Sequence, residues 1–489
     1  MLDVLIVGGG PAGVVAAMRA GDLGAKTALV TEGEFGGMAA NDGPVPVRTL
    51  AHAARLIRDA RQLGRYGIQV GEPRLDYSQL LERVREVVDD VRSHSTFRSQ
   101  SDSAGVQVHE NAGVARLADP HTVVTASGLT LQSDKIILCP GGSSRRLSVP
   151  GADLTATHSD AWGLSSVPQS IIVIGGGATG AQVASVFHAF GAKIQLFQSG
   201  PRILPTEDED VSAAVAAAFR ESGIDVREDF GSIESFEKTE SGIRMNFSKT
   251  GDREFVEATL AVVAIGWVAN TSELELSKAG VEITARGFIS IDEYLRTSAA
   301  NIFAAGDVTG RLMLVPQAIQ DGFVAATNAV RGSEMKLLDE PAPIGSFTDP
   351  EYAQVGLTET KAREKHDIAT ARVDFKSTTR TIIDGRTTGF CKLIADRTTR
   401  EILGCHVVGE RAVEITQLAA VAMAGNVRVD DLAQVPLSFP TYAGVLGRVA
   451  AMLARQLNLT LDWQGDRAEG ARQGFQCETD IRRLMIDPI

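Results

Sequence analysis

Gly8-Gly9-Gly10-Pro11-Ala12-Gly13 follows the apolar run Val4-Leu5-Ile6-Val7, and the pattern returns as Gly175-Gly176-Gly177-Ala178-Thr179-Gly180 after Ile171-Ile172-Val173-Ile174. Glycines at this spacing hold a dinucleotide through the main chain. Gly8 permits a tight turn, Gly10 lets the backbone approach a pyrophosphate, and Gly13 lets the next helix pack against the strand; Gly175, Gly177 and Gly180 take the same places in the second unit. The pyrophosphate then sits at the positive end of the helix that opens with Pro11 and Ala12. Glu32 follows the next strand, where a carboxylate accepts from ribose hydroxyls. A glycine-rich turn in an unrelated α/β protein is the competing reading, and the strand–turn–helix–strand setting with its acid argues against it. In the second unit the strand Lys193–Phe197 ends in Gln198-Ser199 and no acid. A carboxylate there would bind the 2′-hydroxyl of NAD and repel the 2′-phosphate of NADP, so its absence, with Arg202 nearby, leans toward NADPH. Gln198 reading the ribose of NADH is the alternative.

Other chemistries lack their residues. There is no HExxH, no GxSxG and no metal-ligand cluster, and the eight histidines are scattered; His52, beside Arg48, is the one histidine that could approach a cofactor pocket, and an ordinary surface or interior histidine is the more common case. The four cysteines, Cys139, Cys391, Cys405 and Cys477, form no CxxC and are widely spaced, which fits neither a disulfide framework nor a thiolate metal site and points to reducing cytoplasm. A formal charge of −13 argues against nucleic acid as partner. The apolar run from Val4 is broken by glycines and too short to span a bilayer. At 489 residues the chain has room for roughly three domains of about 150 residues.

The elements that position these residues follow from periodicity. Leu50, Ala53, Ala54, Ile57 and Ala60 recur at helical spacing over Arg48–Leu63, and a second helix is predicted near Tyr77–Val91. Short strands alternate with turns over Val106–Leu138. Phe390–Ile394 and Cys405–Val408 predict an antiparallel sheet, with helices over Ile415–Ala424 and Tyr442–Leu457. Leu338–Pro343, with two prolines and two acids, is the best boundary.

Asn301-Ile302-Phe303-Ala304-Ala305-Gly306-Asp307 is a strand ending in Gly-Asp, and with the two fingerprints it resembles the two-dinucleotide flavoprotein reductases, among them glutathione reductase, lipoamide dehydrogenase and mercuric reductase. Further segments carry the likeness: Ile136–Gly141, Val263–Gly266 with Asn270-Thr271, Phe347–Glu351, and Val355–Thr358. It covers residues 1 to about 455. The resemblance implies an α/β fold of two Rossmann-like domains, for FAD and NAD(P), plus a C-terminal α/β dimerisation domain. It implies FAD-domain residues 1–150, an NAD(P) domain over 151–270, a return to the FAD domain over 271–340, a dimerisation domain over 341–455 and a tail over 456–489. Asp307 takes the place of the aspartate that hydrogen-bonds the FAD ribityl chain. Gly141 and Gly266 end the two segments that resemble the family's strand ending in Ala-Thr-Gly, and the resemblance makes both candidate cofactor-binding residues. The helix opening near Pro316-Gln317-Ala318 would point its N-terminus at the flavin pyrimidine, where the positive end favours a reduced flavin.

The chain departs from that family where its disulfide chemistry resides. The family's redox segment reads GG-x-C-x-N-x-G-C-x-P-x-K; here it is Gly36-Gly37-Met38-Ala39-Ala40-Asn41-Asp42-Gly43-Pro44-Val45-Pro46-Val47-Arg48. Gly37, Asn41, Gly43 and Pro46 keep the frame, but Ala39 and Pro44 stand at the cysteine positions and neither supplies a thiolate. The terminal lysine is Arg48, and its glutamate partner is Gln182. The family's C-terminal His-Pro-Thr is Phe439-Pro440-Thr441, which implies a homodimer with each Phe439 facing the partner's flavin and no proton shuttle there. The reading is therefore an NAD(P)H-dependent FAD oxidoreductase that passes electrons directly to a small-molecule acceptor, quinone-like or another organic electrophile, with Arg48, Gln182 and Phe439 as the candidate catalytic residues. The alternatives are a biosynthetic flavoenzyme on a specialised substrate and a non-catalytic FAD-binding regulatory module; the retained second fingerprint argues against the latter.

Overall fold

The structure, a computed structural model, describes residues 1–94, 98–332, 335–337, 341–459 and 461. Residues 338–340 of the expected boundary, and Cys477 with nearly all of the tail, lie outside the described residues.

The apolar runs become strands buried on both faces, as parallel sheets require. In the first sheet Leu2–Val7 pairs in parallel with Thr27–Val30 on one side and with Thr130–Leu138 on the other, and Gln107–His109 extends the Thr27 edge. Ile302–Ala304 adds in parallel beside Thr130–Leu138, some 300 residues after the first strand. Thr122–Thr125 and Ala115–Asp119 continue the sheet in antiparallel fashion. Helices Pro11–Asp22 and Val315–Arg331 pack together over one face.

The second sheet is parallel, in the order Asp225–Glu228, Lys193–Gln198, Ser170–Ile174, Leu260–Val263 and Ala156–Thr157. An antiparallel meander, Ser232–Thr239, Gly242–Lys249 and Asp252–Ala258, packs Phe236, Met245 and Phe247 against Ile172, Phe197 and Val263. The third sheet is antiparallel and contains the expected pairing of Phe390–Asp396 with Ile402–Val408. Helices Ala412–Ala424 and Gly444–Gln456 cover one face. From it, Tyr352, Phe390 and Val408 join a single apolar core with Ile171, Val173 and Phe187 of the second unit and Leu50 of helix Pro44–Gln62, so the second and third sheets and that helix share one core. Among the described residues, no helix is long and apolar enough to cross a membrane.

Two features hold these units in register. Helix Pro44–Gln62 begins four residues before Arg48, turns Leu50, Ala51 and Ala54 inward, and presents Arg55 and Arg58 to the third unit. Arg58 Nε lies 2.9 Å from Asp349, and Arg55 pairs with Glu351 and Glu410. The second feature is Lys392, buried in the third sheet. Its Nζ is 2.9 Å from Asp208, 2.7 Å from Asp210 and 2.7 Å from Glu359, so it joins the start of helix Glu209–Ser222 to the third unit. Burial opposes ionisation of Asp208, but the Glu359 amide and Lys392 outweigh it, and the carboxyl titrates below its ordinary range. Burial likewise works against Lys392, and its three carboxylates outweigh that and raise its pKa.

Lys392→Met should therefore cost about 3–5 kcal/mol in chemical denaturation at pH 7, because the carboxylates lose their cation while staying partly buried. A depressed carboxyl pKa adds stability that is present above the unfolded value and lost as pH falls through the folded one. The gap between variant and wild type should accordingly narrow on acidification below about pH 4. A variant as stable as wild type at pH 7 would show the cluster to be idle.

Candidate functional site

A cleft of about 1080 Å³ gathers most of the residues singled out in the sequence. Its walls include Gly8, Gly10, Pro11 and Ala12 from the first turn, Glu32, Gly37 and Arg48 from the next segments, Gly141, Asp307 and Ala318 from the first unit, and Gln182 from the second. Helix Pro11–Asp22 starts at Gly10 with no side-chain cap, which leaves its first N–H groups for a ligand or water. A Cβ on Gly37 would come 2.6 Å from the Gly10 Cα, so the segment through Ala39 lies directly over the first turn. Helix Val315–Arg331 likewise opens on the cleft through Val315, Pro316 and Ala318.

Gly13 acts by packing and does not line the cleft: its missing Cβ would sit 1.8 Å from the Gly8 carbonyl oxygen. Gly180 stands in the same relation to Gly175. Gly175, Gly177, Gly180, Gln198, Ser199, Arg202 and Gly266 do not line this cleft, and the second unit contributes Ala178, Thr179 and Gln182 to it. Gln198 Oε1 accepts from the Gly176 N–H at 2.8 Å. Arg202 donates to the carbonyls of Glu207 at 3.0 Å and Pro205 at 3.2 Å, so its guanidinium is committed to its own loop. His52 is exposed and lines no part of the cleft. Phe439 is 82% exposed and also lies off the cleft of its own chain.

The residues fit the FAD that the resemblance implies. The Asp307 carboxylate faces the cleft and accepts no hydrogen bond from another described residue, while burial first and Asp321 second raise its pKa. Two ribityl hydroxyls would supply the missing donors. Glu32, exposed at the cleft wall, suits a ribose. Arg48 and Gln182 flank the dipeptide Ser346-Phe347. The Arg48 guanidinium carbon lies 3.0 Å from the centre of the Phe347 ring, a cation–π contact. Arg48 is open to the cleft on one side and enclosed on the others; desolvation pulls its pKa down to about 10, with Glu351 opposing. Among the described residues no carboxylate is within 4.0 Å of Arg48, and Gln182 Nε2 is buried without a partner. Where the resemblance led to an ion pair, there is a cation and a neutral amide with no hydrogen bond between them.

Sequence reasoning missed His158, Trp162 and Trp267, which also line the cleft. His158 Nδ1 is 2.8 Å from Ser144 Oγ, and its ring meets Trp267 edge-on at 5.0 Å. Burial lowers its pKa against the pull of Asp42 and Asp160. The one local signal was the Thr157–Asp160 capping box, which marks a helix start and says nothing of a cleft. Among the described residues no cluster of His, Cys, Asp and Glu could hold a metal ion.

Asp307→Ala should weaken FAD retention by about 1–3 kcal/mol, read as the dissociation constant of FAD from reconstituted apoprotein. Unchanged affinity would remove Asp307 from the cofactor site.

Comparison with known proteins agrees with this architecture. Residues 2–322 match the family model described as pyridine nucleotide-disulphide oxidoreductase, and residues 342–450 match the dimerisation domain of the same family. A mercuric reductase of Bacillus cereus is 31% identical over 444 residues, covering 90% of this chain and 70% of the relative. A dihydrolipoyl dehydrogenase of Bacillus subtilis is 29% identical over 466 residues, covering 92% and 97%. The solved structure of the HOCl-induced flavoprotein disulfide reductase RclA from Escherichia coli shares the fold, with a TM-score of 0.82 at 24% identity over 92% of this chain and 100% of that one. Matched along nearly its whole described length, this chain belongs to the pyridine nucleotide-disulphide oxidoreductases, a family of FAD-dependent enzymes.

Proposed function

We propose that this protein is an FAD-dependent NAD(P)H oxidoreductase whose acceptor is a quinone-like or other organic electrophile rather than a disulfide. The observation that carries this reading is the pair Ala39 and Pro44, both in the cleft wall at the positions of the family's two thiols. No other described cysteine can take over. Cys139, Cys391 and Cys405 are buried. Burial, then Asp321, raises the Cys139 thiol, and contact with Cys405, then burial, raises Cys391, so neither is poised as a thiolate.

Bound FAD supplies the two-electron transfer between a reduced nicotinamide and the acceptor. The chain's own residues bind and orient. Ala39 leaves room beside Met38 and Pro44 for a flat apolar acceptor. Arg48, with no carboxylate partner, is placed to stabilise negative charge developing on an acceptor oxygen. Phe439 offers an apolar surface to a second copy, in keeping with the dimerisation domain. For the nucleotide we favour NADPH, because Gln198-Ser199 brings no carboxylate to the end of its strand. Arg202 would have to leave its loop carbonyls to meet a 2′-phosphate, so the preference rests on the absent acid.

NADPH should reduce the flavin roughly tenfold faster than NADH at matched sub-saturating concentrations, a difference of about 1.4 kcal/mol, and Gln198→Glu should reverse the order. Stopped-flow absorbance decides it; equal rates would mean that Gln198 reads the NADH ribose.

The acceptor is tested by steady-state turnover. Quinones should be reduced, whereas glutathione disulfide, lipoamide and mercuric ion should not, because each needs a thiolate at the flavin. Arg48→Met should lower quinone turnover about 10²-fold if its charge stabilises the transition state. Disulfide reduction surviving replacement of all four cysteines by serine would overturn the reading. Rapid flavin reduction with no quinone turnover would instead point to a specialised organic substrate.

A further inference from the structure

Reduction of a quinone to a quinol takes two electrons and two protons, and a hydride from NAD(P)H carries both electrons with one hydrogen nucleus. The C–H bond of the nicotinamide breaks, O–H bonds form on the acceptor, and one further proton must come from water. Neither Ala39 nor Pro44 nor Phe439 can deliver it.

A buried polar path does lead to the cleft. Thr206 is exposed at the surface, and its Oγ1 donates to Glu207 Oε1 at 3.2 Å. Glu207 is 4% exposed, and its Oε2 has no hydrogen-bond partner. Glu207 acts electrostatically on Tyr352, whose buried hydroxyl makes no well-formed hydrogen bond but lies near enough to Ser346 for that side chain to act on it. Tyr352 sits opposite Ser346 in the antiparallel register of the third sheet. Ser346 lines the cleft, with Oγ 3.5 Å from Gln182 Oε1. A buried carboxylate oxygen and a buried phenol without well-formed partners, side by side with the cleft wall, call for an explanation. They stand between a solvent-exposed hydroxyl and the cleft wall, and a relay through them would use a bridging water or hydroxyl rotation between Glu207 and Tyr352.

We infer that Thr206, Glu207, Tyr352 and Ser346 form a proton relay from solvent to the cleft beside Gln182, serving the acceptor step. The inference rests on the function proposed above, since disulfide chemistry would use thiols and a histidine. The titration of Glu207 agrees with it. Burial raises its carboxyl to about 7, against a hydrogen bond from Thr206 and the charge of Arg202. Arg202 on its own loop and the Tyr352 phenol on the facing strand are the charged and titratable groups that act on it. A carboxyl of this kind is half-charged with a transferable proton near neutrality.

The test uses FAD-bound protein and reads the carboxyl directly. Infrared difference spectra between the oxidised and dithionite-reduced protein should contain a protonated-carboxyl band that titrates near pH 7 and is missing from Glu207→Gln. Tyr352→Phe, which removes one oxygen, should keep that band but slow the oxidation of reduced protein by a quinone about tenfold or more. In wild type this oxidation should slow as pH rises through about 7, and the inflection should vanish in Glu207→Gln. A Glu207 band that ignores reduction, or wild-type oxidation rates in both variants, would overturn the relay. If wild type fails to reduce any quinone while the band still responds to reduction, the acceptor reading falls and the relay stands.

Discussion

Between Gly13 and the carbonyl of Gly8 there is no space for a methyl group, and the cleft is built outward from that contact. It presses helix Pro11–Asp22 against the first strand and fixes the height of the helix N-terminus above the sheet. Gly322 repeats the device from the other side: its missing Cβ would meet the Ala12 carbonyl at 2.1 Å, so helix Val315–Arg331 is locked to the first helix and its own start is delivered to the same cleft. Two uncapped helix starts thus converge on one volume. Their partial positive charge comes from main-chain dipoles that no side-chain titration can remove.

Against that fixed background the side chains set the charge of the site. Glu32 and Asp307 bring carboxylates to the wall of the first unit. On the opposite side of the cleft the wall carries Arg48 from the first unit and the neutral amide of Gln182 from the second. The faces that meet the third unit hold the pairs of Arg55 and Arg58, the Lys392 cluster and the path through Glu207 and Tyr352. Polar groups are concentrated there because the apolar core through Leu50, Phe187 and Tyr352 already supplies the adhesion between units. What the polar groups add is orientation and, for Glu207, a carboxyl kept close to neutral.

The two glycine fingerprints, the Gly-Asp strand end and the antiparallel pairing of Phe390–Asp396 with Ile402–Val408 were legible because each is dictated by local sequence: a turn that only glycine tolerates, or a strand alternation. Ala39 and Pro44 were legible as departures, since their neighbours Gly37, Asn41, Gly43 and Pro46 preserve the frame. For Arg202 the sequence carried only its nearness to Gln198, which suggests a phosphate ligand; a guanidinium has several donors, and in the structure they go to the loop carbonyls of Pro205 and Glu207. His158, Trp267, Lys392 and Glu207 carried no signal of a site. What places them there lies far away in the chain, Asp208 and Asp210 for Lys392, Trp267 for His158 and Tyr352 for Glu207, and no spacing rule reaches that far.

Helix Pro44–Gln62 has Arg48 in the cleft at one end and Arg55 and Arg58 clamped to the third unit further along. From Arg48 to Arg58 is about 15 Å of straight rod. Deleting one residue between them would turn the far arginines about 100° around the axis and draw them in by about 1.5 Å. No side-chain rearrangement could then satisfy both ends. The number of residues from Arg48 to Arg58 is therefore as constrained as their identity, whereas the meander Ser232–Ala258, which has no such second anchor, is free to vary in the length of its turns.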